Sequence, residues 1–435
     1  MIDAAVEMLR CALHDILFYT LFIWGTTLIP SYPSYLLQGG PVDGHLGDGL
    51  HAVVERVEGH EANKLYPGGF AIAGRARSFG APPAAMSQPN PPILLIQTAF
   101  IGDVILATAL VEYLAQHEPA TPVDVLVRRG NEALLQGHPH IRQVLIWDKK
   151  YRKYANLWQL VQQVRAGGYG RVVTLQRFAS TGFLTAFSGA PERVGFAENP
   201  FSRWFTRRVP HIIGNGTHEV QRNLALVAPS RSTNPRHQRR GPRPADLPRL
   251  APRLYPTPAD EAAAAPYAAP GPYICLAPTS VWFTKQYPES KWLELLAALP
   301  PGLRVYLLGG PPDVLACDRL AVNSGRPNVV SLAGQLGLLA SAALMRGARM
   351  NYVNDSAPLH LCSAVGAPVV AVFCSTVPDF GFGPLGPAAA VVETEERLDC
   401  RPCGLHGHAA CPLGHFRCAY GIEVEQLLET MNSGQ

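Results

Sequence analysis

The sequence predicts an α/β protein of two doubly wound, Rossmann-like parallel-sheet domains facing a cleft, and three observations carry that reading. Short β-branched runs alternate with helical stretches from Ile93 onward, a Pro-, Arg- and Ala-rich segment interrupts the alternation at 229–270, and it then resumes to the C-terminus. Strands buried on both faces and joined by helical crossovers give this pattern. Four spans follow: an N-terminal extension 1–90, a first domain 91–228, a linker 229–270 and a second domain 271–435.

The extension does not share the pattern. Its apolar run between Leu9 and Pro30 is interrupted by His14 and Asp15, leaving about 14 uninterrupted residues where a membrane span needs about 20. No clear small-residue cleavage site ends it. From Gln38 to Asn90 glycine and proline are frequent and neither period is sustained, so a packed fold is not expected there. Met86 stands just before the first convincing strand and is the expected natural start, with a signal anchor as runner-up.

In the first domain Ile93 to Ile96 is a strand, and Gly102 and Asp103 open a helix whose Val104, Ile105, Leu106, Leu110, Val111 and Leu114 face a sheet. Val123 to Arg129, Val144 to Trp147 and Arg171 to Gln176 are further strands, with helices expected over NEALLQG and YANLWQLVQQVRAGGY. In the second domain the strands are Tyr273 to Pro278, Arg304 to Gly310, NVVSLAG, Met350 to Val353 and Pro368 to Phe373. Helices are predicted over Pro288–Leu299 and Val314–Val322, near Leu338–Met345, from Pro358, and over Val424–Met431.

With 47% hydrophobic and 16% charged residues, a chain of 435 is globular and long enough for two such domains. Its 37 basic and 33 acidic residues give +4, a mild excess that does not suggest a nucleic-acid binder but leaves room for a basic face that attracts an acidic substrate. Cys11, Cys275, Cys317, Cys362 and Cys374 sit in apolar stretches and read as small core residues of a reducing compartment.

Chemistry concentrates in the turns between strand ends and helix starts, the rim where open α/β sheets bind ligands. Asp103 sits at such a start, able to cap the helix or act on a substrate. Thr279, Ser280, Thr284 and Lys285 follow a strand and precede a helix, offering hydroxyls and an ammonium to a diphosphate. Gly309 and Gly310, with Asp313 after them, allow close backbone approach or form a plain turn; they do not make a G-x-G-x-x-G fingerprint, so a nicotinamide-dependent oxidoreductase has little support. Asp355 and Ser356 begin a helix with Pro358 in its first turn, aiming unpaired N–H groups at an anion, with His360 close by.

Taken in order, FIGDVILATAL, GAPERVGF, the T-K-Q-Y-P element at Thr284 to Pro288, LAGQ, NDSAPLH and LDCRPCGLHGHAACPLGHFRC resemble the ADP-heptose:lipopolysaccharide heptosyltransferases, most closely their heptosyltransferase II branch. The resemblance runs from about Pro92 to the C-terminus. It implies a GT-B fold, with the acceptor in the first domain and the ADP-sugar in the second. It implies Asp103 as catalytic base, Lys285 beside the donor phosphates, and Asp355, Ser356 and His360 in the donor loop. The activity implied is inverting transfer of heptose from ADP-L-glycero-D-manno-heptose to the lipopolysaccharide inner core, with no cofactor required; another ADP-sugar or acceptor, or an inactive ADP-binding scaffold, is the alternative. Where the family usually has D-S-G before its histidine, this chain has Ala357-Pro358 after Asp355-Ser356. For an anionic acceptor, Arg128, Arg129, Lys149, Lys150, Arg152, Lys153 and Arg177 offer charge. The expected location is cytoplasmic, with peripheral association at the inner-membrane surface.

Cys400, Cys403, Cys411 and Cys418, spaced C-x₂-C-x₇-C-x₆-C with His406, His408 and His415 interleaved, match the ligand number of a structural zinc site but not the spacing of a standard ribbon. A reduced, metal-free cluster fits as well. If zinc is held, it is expected to pin this loop before the last helix without touching the reaction centre.

Overall fold

Two six-stranded parallel sheets carry the fold in this computed structural model, which describes residues 90–151, 153–230 and 240–433. In the first, β1 (Ile93–Ile96), β2 (Val123–Arg128), β3 (Gln143–Trp147), β4 (Arg171–Thr174), β5 (Glu192–Phe196) and β6 (Arg207–Val209) lie in the order β3-β2-β1-β4-β5-β6. In the second, β7 (Tyr273–Ala277), β8 (Arg304–Leu307), β9 (Val329–Ser331), β10 (Asn351–Asn354), β11 (Val369–Phe373) and β12 (Ala389–Glu393) lie in the order β12-β11-β10-β7-β8-β9. The winding is the same in both. Each sheet reverses between its first and fourth strands, where Leu94 pairs with Val172 and Val353 with Ala277. That reversal leaves a crevice at the carboxyl ends of those strands, the usual ligand position.

Strands β1 and β11 are apolar along their whole length because helices cover both faces. All four residues of β1 and all five of β11 are buried. Helix α1 (Ile101–His117) is buried over Val104 to Val111 and at Leu114, more than one face of a surface helix needs. The cause is its position: the apolar cluster that contains Val104, Leu106 and Leu110 continues into Leu344, Leu359 and Leu361 of the second half. The two halves therefore share a core beside the cleft.

The remaining helices are α2 (Lys153–Ala166), α3 (Ala179–Ala186), α4 (Glu219–Val227), α5 (Pro258–Ala268), α6 (Glu289–Ala298), α7 (Val314–Asn323), α8 (Leu338–Gly347), α9 (Ala357–Val365), α10 (Arg417–Tyr420) and α11 (Val424–Ser433). Two sequence expectations are corrected. NEALLQG forms only a 3₁₀ turn over Glu132–Leu135, followed by Gly137 at φ +74. The segment read as a linker holds α5, a regular helix that packs on α8. Its signal is local: Thr257 accepts from the Asp260 N–H, Asp260 accepts from the Thr257 N–H at 2.8 Å, and Pro258 occupies the first turn. The extension apart from Asn90, with Met86 and the apolar run, lies outside the described residues, as do Arg152 and 231–239.

Candidate active site

The turn from β1 to α1 is short, so α1 begins where the first sheet ends. Phe100 is the N-cap, with extended backbone, and Asp103 is the third helical residue. Its Oδ2 accepts the Phe100 N–H at 3.2 Å, so the carboxylate caps from inside the helix rather than opening it. Gly102 is needed by a neighbour: a Cβ there would lie 2.6 Å from Cδ2 of His360, on α9 of the second half. The helix dipole should strengthen Asp103 as an acid. Instead, desolvation pushes its carboxyl up to about 6, with the charge of Glu219 adding to the rise and the amides of Phe100 and Asp103 and the charge of Arg128 failing to cancel it. Such a carboxylate is ionised at neutral pH and a better base than one in water.

Across the cleft, the turn after β7 is long. Lys285 ends its 3₁₀ segment, and Nζ lies 2.6 Å from Oδ2 of Asp355, which also accepts from Oγ1 of Thr376 at 2.6 Å. Asn354 ties the turn to β10, accepting from the Tyr287 N–H at 2.9 Å and donating to the Pro278 carbonyl at 2.8 Å. Thr279 and Ser280 are half-buried in the same turn. Ser356 is the N-cap of α9 and makes no side-chain cap bond, with Ala357 and Pro358 filling the first two helical positions. A proline fits there because its missing N–H has no intrahelical partner, although one anion donor is lost. His360 is buried, its Nδ1 is without a partner, and burial lowers its pKa to about 4, so it is neutral at physiological pH.

Two of the expected donor turns bond within the protein. Thr284 is buried; its Oγ1 accepts from the His408 N–H at 2.8 Å and from Oγ of Ser375 at 3.1 Å. Asp313 accepts from the Gly310 N–H at 2.8 Å, and a Cβ on Gly309 would meet Asp313 at 2.6 Å. That turn closes on itself.

The basic residues divide. The Arg128 guanidinium lies 5.3 Å from the centre of the Phe100 ring, and Nζ of Lys149 donates to the Thr98 carbonyl at 3.0 Å, placing both beside the Asp103 turn. Arg129 pairs with Asp148 at 2.9 Å, and the backbone N–H of the neighbouring Lys150 donates to the same carboxylate. Arg177 is exposed after β4. Of Lys153 the backbone alone is described.

The Cys-rich loop lies against the Lys285 turn: the Thr284 N–H donates to the His408 carbonyl at 3.1 Å, and a Cβ on Gly407, at φ +79, would lie 3.0 Å from Cγ of Lys285. His406, exposed on this loop, has its pKa lowered by partial desolvation and then by the charges of Lys285 and Arg177. Cys400, Cys403, Cys411 and Cys418 line one cavity of about 260 Å³ with His415. Their chemistry suits zinc, but among the described residues no three potential ligands are spaced to hold a metal ion. Cys275, Cys317, Cys362 and Cys374 are free and buried, as expected of core thiols.

Sequence reading missed the buried set His211, Glu219 and Arg222. Their signal was weak: Glu219 and Arg222 lie three positions apart on one helix, but the Phe380 carbonyl that holds Arg222 comes from 158 residues away.

Two like-wound halves, with a carboxylate of raised pKa on one rim and a held ammonium on the other, make a protein of the GT-B fold. The sequence pattern of glycosyltransferase family 9 (heptosyltransferase) matches residues 157–407, and the chain belongs to that family. It is 27% identical over 352 residues to lipopolysaccharide heptosyltransferase 1 of Pseudomonas aeruginosa, covering 77% of this chain and 92% of that protein. Its fold matches Escherichia coli ADP-heptose lipopolysaccharide heptosyltransferase II with a TM-score of 0.64 at 21% identity, over 79% of this chain and 98% of that one. It also matches E. coli heptosyltransferase WaaC with ADP at a TM-score of 0.57 and 20% identity, over 79% and 100% of the two chains. No helix of the described residues is long and apolar enough to cross a membrane.

Proposed function

We propose that this chain transfers heptose from ADP-L-glycero-D-manno-heptose to an anionic acceptor of the lipopolysaccharide inner core, with inversion. One observation carries the reading: the ring of His360, from the donor loop, lies on Gly102, next to Asp103. That contact supports a donor site and a base meeting at one point. The structural likeness to a heptosyltransferase with ADP supports the nucleotide.

Asp103 takes the proton of an acceptor hydroxyl as its oxygen bonds to the anomeric carbon, and the bond from that carbon to the β-phosphate oxygen breaks, its electron pair leaving with ADP. Lys285, held by Asp355, and the N-terminus of α9 stabilise the charge that grows on the leaving group. Thr279 and Ser280 line the same turn, and the Gly309-Gly310-Asp313 turn lies on the same rim, two strands from β10. Arg128, Lys149 and Arg177 hold the acceptor's anionic groups, with Arg129 and Lys150 further out. No cofactor enters this step. A structural zinc is a separate proposal, which the four cysteines around one cavity support and their spacing here does not. The enzyme works at the cytoplasmic face of the inner membrane, where its acceptor is exposed.

An ADP-release assay with ADP-heptose and a deacylated core acceptor tests the reading. Acceptor-dependent release is expected. Release with a different ADP-sugar alone would point to another donor, and ADP binding without release to an inactive scaffold.

A further inference from the structure

Helix α4, which packs on α1, begins with a buried carboxylate whose charge bears on Asp103. Glu219, the first residue of α4, has its side chain 8% exposed and pairs with Nε of Arg222 at 2.7 Å and Nε2 of His211 at 3.1 Å. Burial, the largest influence on its carboxyl, opposes ionisation, but those two partners outweigh it and hold the group well below the usual carboxylate range. Arg222 is as closely held: Nη1 donates to the carbonyls of Ile212 at 3.1 Å and Thr217 at 2.5 Å, and Nη2 to that of Phe380 at 2.6 Å.

Phe380 belongs to the second half, and two more bonds reach the same loop. The Glu219 N–H donates to the Gly381 carbonyl at 2.8 Å. His218 accepts the Val220 N–H on Nδ1, so its Nε2 carries the proton and donates to the Gly383 carbonyl at 3.0 Å. Gly381 adopts φ +92, and a Cβ there would lie 2.5 Å from Nη2 of Arg222. Such bonds, closed over a residue that tolerates no side chain, fix the spacing of the two halves at this point. The groups whose charges bear on Asp103 are Glu219 from α4 and Arg128 from the end of β2, with neutral His360 of α9 against Gly102; His211, His218 and Arg222 surround Glu219.

We propose that Glu219, Arg222 and His218 form a clasp that locks the Phe380–Gly383 loop to the rim of the first sheet and sets a fixed negative charge beside the catalytic base. They are positioning residues, and the inference rests on the reading of Asp103 as base. With the clasp intact, the donor half sits at one distance from the acceptor half, and Asp103 keeps the proton affinity its reaction uses.

Glu219→Gln tests the charge. Its amide oxygen still accepts from Arg222, whose charge faces three carbonyl oxygens, so the variant folds, as circular dichroism should confirm. The acid limb of kcat/KM should move down by roughly half a pH unit or more, because removing a like charge favours the ionised base. A purely structural role would not move it. Gly381→Ala tests the lock, with an expected loss of about 10-fold in kcat from displaced reacting groups. Asp103→Asn is measured beside them. Turnover retained in Asp103→Asn would sink the base assignment itself; an inactive Asp103→Asn together with an unmoved limb in folded Glu219→Gln, or full turnover in Gly381→Ala, would overturn the clasp alone.

Discussion

The turns after β1 and β7 occupy the same place in two sheets of the same winding, yet they handle charge in opposite ways. The first runs from Gln97 to Phe100 and delivers Asp103 directly into a helix start pressed between the two halves. Among the described residues no cation pairs with its carboxylate, and desolvation raises its pKa. The second runs from Pro278 to Pro288 and carries Lys285 into a 2.6 Å pair with Asp355. A short turn in a shared core makes a carboxylate of raised proton affinity. A long turn that reaches the fourth strand of its sheet holds a cation in place.

The largest expected effect lies on the first turn. Asp103→Asn keeps the cap to Phe100 and removes the proton acceptor, so kcat should fall by about 10²- to 10⁴-fold while ADP still binds, measured by turnover and calorimetry. The same variant should be more stable than the parent at pH 7. Relative to an ordinary 3.8, a folded-state pKa of about 6 means that stability fully present below the ordinary value is lost as pH rises through about 6. Asparagine escapes that loss, so a gain of about 1–2 kcal/mol at pH 7 should vanish near pH 4, as denaturant melts at both pH values can check.

On the second turn, Lys285→Ala should cost about 10²-fold in kcat/KM with most of the loss in use of the donor. Unchanged donor kinetics would break the contrast drawn between the two turns. A smaller effect is expected at the Cys-rich loop, where Gly407→Ala strains a positive φ and presses on Lys285. A few-fold loss of kcat there, against a clear fall in Tm for Cys403→Ser, would separate the loop's catalytic edge from its sulfur-lined cavity. Elemental analysis of protein purified without chelator or affinity metal settles whether zinc accompanies the thiols; close to one zinc per chain would support the structural site, and metal-free active protein would dismiss it.

The sheets were legible because buried parallel strands are continuous apolar runs, and Ile93–Ile96, Tyr273–Ala277 and Val369–Phe373 are of that kind. Residues 179–227 were less so: β6 has three residues, two of them arginine, and α4 is buried while carrying Glu219, Arg222 and Asn223. Helix α5 was hidden by the prolines and alanines around it, although its capping box was readable. At the site, Asp103, Lys285 and the 355–360 turn stood out because strand ends and helix starts mark the rim. The bond between Thr284 and the Cys-rich loop was out of reach, because a hydroxyl's partner across more than a hundred residues leaves no local pattern. The direction of the Asp103 shift was also out of reach, since it comes from the neighbours that bury it and not from its own helix.

The pH dependence of kcat/KM in the unmodified enzyme tests the central claim most directly. If Asp103 is the base and burial raises its proton affinity, the rate should fall on the acid side with a midpoint near 6, and that dependence should disappear from the residual activity of Asp103→Asn. An acid limb near 4, where an ordinary carboxylate titrates, or one that persists unchanged in Asp103→Asn, would contradict it.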